Sequence, residues 1–106
     1  MNFFGFFNRP DIHQGIRAYR AEPGALLLDV RTPQEYREGH IPESRNIPLQ
    51  AIDKVASVVD NQDRPLFVYC HSGARSAQAA ALLRRMGYSN VTDIGGIAAY
   101  RGEVEV

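Results

Sequence analysis

The chain has 106 residues, 44% of them hydrophobic and 23% charged, a composition suited to one compact soluble domain with one core. Twelve basic residues balance twelve acidic ones, so the net charge is zero and no electrostatic footprint for nucleic acid or an anionic membrane is present. A single cysteine excludes an internal disulfide and multi-thiolate metal sites, and His13, His40 and His71 lack helical zinc spacing, so neither a metal nor another cofactor is expected.

The first segment, Met1-Asn2-Phe3-Phe4-Gly5-Phe6-Phe7, is apolar but short, without the basic region and longer apolar run of an export signal. Residues 1–9 are expected to fold onto the domain as a flap, and the protein to be a cytoplasmic monomer with 1–106 as one domain. From Asp11 the residues Ile12, Ile16 and Tyr19 recur at helical spacing, with Asp11 and Gln14 resembling a capping box and Pro23-Gly24 as the stop. Ala25–Val30 is a continuous apolar run, the pattern of a strand covered on both faces. Thr32-Pro33-Gln34-Glu35 then predicts a helix start, with Thr32 as N-cap, Pro33 at the first position and Glu35 reaching back from the third; Gly39 ends that helix.

A brief strand is expected near Asn46-Ile47, followed by a helix presenting Ile52, Val55, Ala56 and Val59 on one face. Residues 60–63 make a turn before a second buried-type strand, Leu66–Tyr69, with Cys70 directly after it. Arg75–Met86 reads as a helix with Ala79, Leu82, Leu83 and Met86 on its apolar face, closed by Gly87. Val91–Ile94 is a last strand, and Gly95-Gly96 turns the chain into Ile97–Tyr100. Strands alternating with helices imply an α/β fold, a central and mainly parallel sheet flanked by helices. Reactive groups in such sheets gather where strands end and helices begin, which is where Cys70 falls.

The segment Cys70-His71-Ser72-Gly73-Ala74-Arg75-Ser76 therefore reads as a strand-to-helix loop whose backbone amides converge, an arrangement that favours an anion. Gly73 permits the tight turn, and Arg75 adds a planar, permanently charged donor fork. A thiol at that focus is favoured as the nucleophilic thiolate without a partner base. A lone cysteine is commonly an inert buried hydrophobe, but a polar turn containing glycine is a poor place to bury one, so the reactive reading is preferred. Ser72 and Ser76 are candidates for bonding a sulfur anion or capping the helix, with the cap role favoured for Ser76. Asp29 and Arg31 read as a framework for the loop, through a charged pair or backbone hydrogen bonds, while His71 either tunes the site mouth or simply faces solvent.

Cys70–Ser76 resembles the active-site loop of the rhodanese family. Three other stretches agree in order: Leu28–Arg31 with Thr32–Tyr36; Glu38–Pro42 with Asn46–Pro48; and Gly95–Ala99. The resemblance covers about residues 10 to 101. It departs at Glu43-Ser44, where the family often has a glycine first, and at Tyr100, where tryptophan is frequent. It implies a rhodanese-like fold and transfer of sulfane sulfur through a Cys70 persulfide. The donor would be thiosulfate or a persulfide, held by His71, Ser72, Gly73, Ala74 and Arg75. The acceptor would be cyanide or a thiol, a thioredoxin-like protein included. A carrier or binding module delivering sulfur to a partner protein is the alternative. Cysteine phosphatases and arsenate reductases also cradle anions but place five residues between Cys and Arg, against the four of His71–Ala74.

Overall fold

The computed structural model describes residues 10–106; the flap expected at residues 1–9 lies outside them. Helix α1 spans Ile12–Ala21, strand β1 Leu26–Asp29, helix α2 Pro33–Glu38 and strand β2 Arg45–Asn46. A 3₁₀ helix, Leu49–Ser57, leads to strand β3, Leu66–Cys70. Helix α3 (Ala74–Arg85), strand β4 (Val91–Gly96) and a short 3₁₀ turn, Ile97–Ala99, complete the order. Among the described residues the sheet has four strands in the order β2-β1-β3-β4, every pairing parallel. No helix of the described residues is long and apolar enough to cross a membrane.

The caps expected at the helix starts are largely formed. Asp11 accepts from the amides of His13 and Gln14 at 3.0 and 3.5 Å, although Gln14 makes no return bond. At α2 the box is complete: Glu35 N donates to Thr32 Oγ1 at 3.2 Å and Thr32 N to Glu35 Oε1 at 2.9 Å. Such a cap contributes about 1 kcal/mol.

Alternation along the two central strands divides the core. Leu28, Leu66, Val68 and Cys70 pack with Val55, Ala79 and Leu83 on one face of the sheet. Leu27, Phe67 and Tyr69 pack with Ile12, Ile16 and Ile94 on the other. Successive strand side chains point to opposite faces, so the period of two that buries Leu66 and Val68 also turns Cys70 toward α3. Each such buried aliphatic side chain stabilises by about 1.5–3 kcal/mol.

The structure corrects four expectations. The segment Leu49–Ser57 is a 3₁₀ helix, kinked at Ala51, instead of an α-helix. With three residues per turn, Ile52 and Val55 align toward the core while Ala56 is exposed. The brief strand is Arg45–Asn46, one residue earlier than expected. Cys70 closes β3 instead of following it, paired with Gly96. Gly95-Gly96 accordingly belong to β4, not to a turn. A register shift opposite Val68/Tyr69 re-aims β4 so that Gly95 meets Tyr69 and Gly96 meets Cys70.

Glu43 occupies a left-handed conformation, φ 76°, where glycine is the unstrained choice. The turn is nevertheless fixed: Ser44 N and Oγ both donate to Ile41 O, and Ser44 Oγ lies 3.0 Å from the buried Tyr69 hydroxyl. Ile41 N donates to that same hydroxyl at 3.0 Å. Burial pushes the Tyr69 phenol well above its ordinary value, so it acts here as a neutral hydrogen-bonding post. His40 Nδ1 lies 2.8 Å from Tyr36 O. Its ring stacks on Tyr36 with centroids 3.7 Å apart. Tyr100 is half-buried near the C-terminus, its ring 5.6 Å from His13.

Candidate active site

β3 ends at Cys70 and α3 begins at Ala74, so three residues turn the chain from strand to helix. Gly73 makes the turn at φ 109° and stands as N-cap of α3. Its amide donates to Cys70 Sγ at 3.0 Å. That bond places a backbone dipole on the sulfur at the positive end of a helix. Ala74, Arg75 and Ser76 form the first turn of α3, where amides have no intrahelical acceptor.

Cys70 is buried, 1% exposed, contrary to the expectation that this junction is a poor place for burial. The alternation of β3 is the reason, because it points the side chain under α3 beside Ala79 and Ala80. Its polar partners nevertheless separate it from an inert core thiol. Besides the Gly73 amide, Ser76 Oγ lies 3.5 Å from Sγ and accepts the thiol hydrogen. Ser76 does not cap the helix as expected: its hydroxyl donates to Gly73 O at 3.0 Å. The serine therefore ties sulfur to loop and is wholly buried in doing so.

The loop is pressed against β4. Ala98 N donates to His71 O at 3.0 Å, and a Cβ on Gly96 would collide with that carbonyl and with Ser72 Cα. Glycine at 96 is a matter of clearance, since the loop backbone occupies the space of a side chain. A cavity of about 480 Å³ opens beside the loop, lined by His71, Ser72, Gly73, Asp93, Gly95 and Gly96 among others. The side chains of His71, Ser72 and Ala74 face solvent.

Asp29 and Arg31, from the end of β1, form the charged pair anticipated for them. Arg31 Nη2 donates to Asp29 Oδ2 at 2.7 Å, and the Arg31 amide to Asp29 Oδ1 at 2.9 Å. Nη2 also donates to Gly39 O at 2.8 Å, and Asn46 Nδ2 donates to the carbonyls of both Asp29 and Arg31. Both partners are buried. The pair fixes the ends of β1 and β2 beside Cys70, in the crevice between β1 and β3 where a doubly wound sheet reverses direction.

Arg75 reveals a partner that sequence reasoning missed. Its Nη1 and Nη2 donate to Glu35 Oε1 and Oε2 at 2.8 and 3.0 Å, across 40 residues of chain. The Arg75 hydrogen bond chiefly, aided by the Thr32 amide and hydroxyl, holds the Glu35 carboxyl down at about 2. The pair is about one-third exposed. The capping signal at Thr32 located Glu35 on α2, but nothing local to α2 indicates that its carboxylate also reaches α3.

Comparison with known proteins identifies the family. The family model described as "Rhodanese-like domain" matches residues 13–103. A protein named "Sulfurtransferase" from Allochromatium vinosum is 43% identical over 76 residues, 71% of this chain and 70% of the relative. "Thiosulfate sulfurtransferase PspE" of Escherichia coli is 37% identical over 71 residues, 66% of this chain and 68% of its own. The crystal structure of the Alr3790 protein from Anabaena superposes with a TM-score of 0.77 at 32% identity, covering 90% of this chain and 89% of that one. On the family match, on these relatives and on the parallel sheet that carries the Cys70 loop, the chain belongs to the rhodanese-like domain family.

Proposed function

We propose that this chain is a sulfurtransferase that carries sulfane sulfur as a persulfide on Cys70. The supporting observation is the setting of Sγ, which receives the Gly73 amide at the N-terminus of α3 and has Ser76 Oγ at its side. A thiolate so placed needs no partner base. Its electron pair forms a bond to the outer sulfur of thiosulfate; the donor's S–S bond breaks, and that pair departs on sulfite. With an organic persulfide the leaving group is a thiolate. Sulfite leaves as a stable anion, so no general acid is required.

In the second half, an acceptor thiolate or cyanide attacks the outer sulfur of the persulfide, and the Sγ–S electron pair returns to Cys70. The loop amides and the first turn of α3 offer donors to the oxygens of the donor and then to the persulfide anion. Four residues between Cys70 and Arg75 make a small ring, which suits one added sulfur better than a tetrahedral phosphoryl group.

Intact mass tests the reading. After thiosulfate the protein should gain one sulfur atom, removable by cyanide, and Cys70→Ser should gain none. An unchanged mass across thiosulfate and organic persulfide donors would refute the proposal.

A further inference from the structure

The ion pair between α2 and α3 is a structural feature that the transfer step does not explain. Glu35 is committed twice, to the Thr32 amide as a helix cap and to both terminal nitrogens of Arg75. This two-point contact uses one end of the guanidinium. Arginine has five N–H donors, and the edge bearing Nε has no acceptor among the described residues. Arg75 is thus oriented by Glu35 while one fork stays available. The charges that act on Arg75 are Glu35, Cys70 and Asp29, and Asp29 is already matched by Arg31. With Cys70 as thiolate, the two ion pairs cancel and leave the charge of the sulfur anion, to which Asp93 on the cavity wall adds another negative one.

A site of that charge treats its donors unequally. Thiosulfate brings two negative charges toward the sulfur anion, whereas an alkyl thiosulfonate brings one and a protonated organic persulfide none. We propose that Glu35 sets the donor charge this site accepts: by holding Arg75 in place and cancelling its charge, it favours singly charged or neutral sulfane donors over doubly charged ones. This rests on the sulfurtransferase reading and specifies its donor class. Glu35 touches no reacting atom; it is a positioning residue that acts through Arg75.

Thiosulfate and methanethiosulfonate are nearly matched in shape and differ by one charge, since a methyl group replaces an oxyanion. Each gives the same persulfide on Cys70, with the electron pair of the broken S–S bond leaving on sulfite or on methanesulfinate. Glu35→Gln keeps a side-chain oxygen for the Thr32 amide, so it removes charge with little disturbance of the α2 cap. The ratio of kcat/KM for thiosulfate to that for methanethiosulfonate should rise about tenfold in Glu35→Gln at low ionic strength, the scale of one nearby charge at a protein surface. The rise should shrink in about 1 M salt, where screening reaches only a few ångströms. Glu35→Asp, which keeps the charge, should retain the wild-type ratio.

An unchanged ratio in Glu35→Gln, or equal shifts for both donors, would overturn this role while leaving sulfur transfer intact. Glu35→Asp behaving like Glu35→Gln would assign the effect to geometry and overturn it also. Uptake of sulfur by the wild type from neither donor would instead remove the sulfurtransferase reading, and this inference with it.

Discussion

Adding one methyl group at Gly96 should dismantle the site from behind. A Cβ there would collide with His71 O and come within 2.6 Å of His71 C and Ser72 Cα, all backbone atoms with no rotamer to escape into. Ordinary contact for such atoms is about 3.5 Å, so loop and strand must part by roughly 1 Å. Overpacking of this kind costs about 1–3 kcal/mol. At about 5 °C per kcal/mol for a domain of this size, Tm should fall by about 5–15 °C. The same displacement moves the Gly73 amide relative to Sγ, and a 1 Å error in a reacting geometry costs about 100-fold in rate. Thermal unfolding and single-turnover transfer from thiosulfate would measure the two effects. Gly24→Ala is the control, because φ is 76° there but nothing lies within 4 Å of the added methyl, so it should lose stability alone. A Gly96→Ala protein with wild-type Tm and wild-type transfer would refute the reasoning that clearance at this position holds the loop.

Glu43→Gly should raise stability by about 0.5–1 kcal/mol by relieving the left-handed backbone; a lower urea midpoint would contradict this. Arg31→Met should cost about 3–5 kcal/mol because it strands a buried Asp29 carboxylate, and a loss under about 1 kcal/mol in denaturant unfolding would show the pair to be dispensable. Glu35 has a native carboxyl value of about 2 against an ordinary 4.5, so the stability it contributes is present above about pH 4.5 and is lost as pH falls toward 2. The gap in urea midpoint between wild type and Glu35→Gln should therefore narrow over that window, and it should be small because the pair is partly exposed. A constant gap from about pH 6 to pH 3 would count against it.

What the sequence disclosed was local. The capping box at Thr32 and Glu35, the apolar runs of β1 and β3 and the glycine-containing turn after Cys70 each occupy a few consecutive residues, and short-range sterics largely determine them. The charged pair of Asp29 and Arg31 was readable for the same reason, two residues apart at the end of a strand. What stayed hidden was made by contact between distant segments. Gly95-Gly96 read as a turn because two glycines break a strand pattern, yet β3 beside them and the loop above hold them extended. The 3₁₀ helix shares its apolar spacing with an α-helix over so short a span that Ile52 and Val55 alone could not distinguish them. Arg75 displays its charge in the sequence, but its partner lies on another helix.

The all-parallel sheet has a kinetic corollary. Its pairings set Leu28 against Arg45, Leu28 against Val68 and Val68 against Asp93, so no strand can form by zipping a hairpin with its neighbour in sequence. Each registry requires closure of a long loop before any contact rewards it, which slows folding relative to helical domains of equal length. The walls around Cys70 come from β1, β3, α3 and β4, and thus from both halves of the chain. During refolding the thiol therefore remains open to bulky alkylating reagents until the last strand docks. The time at which it becomes protected from them reports completion of the sheet, with Cys70 serving as a built-in clock for assembly.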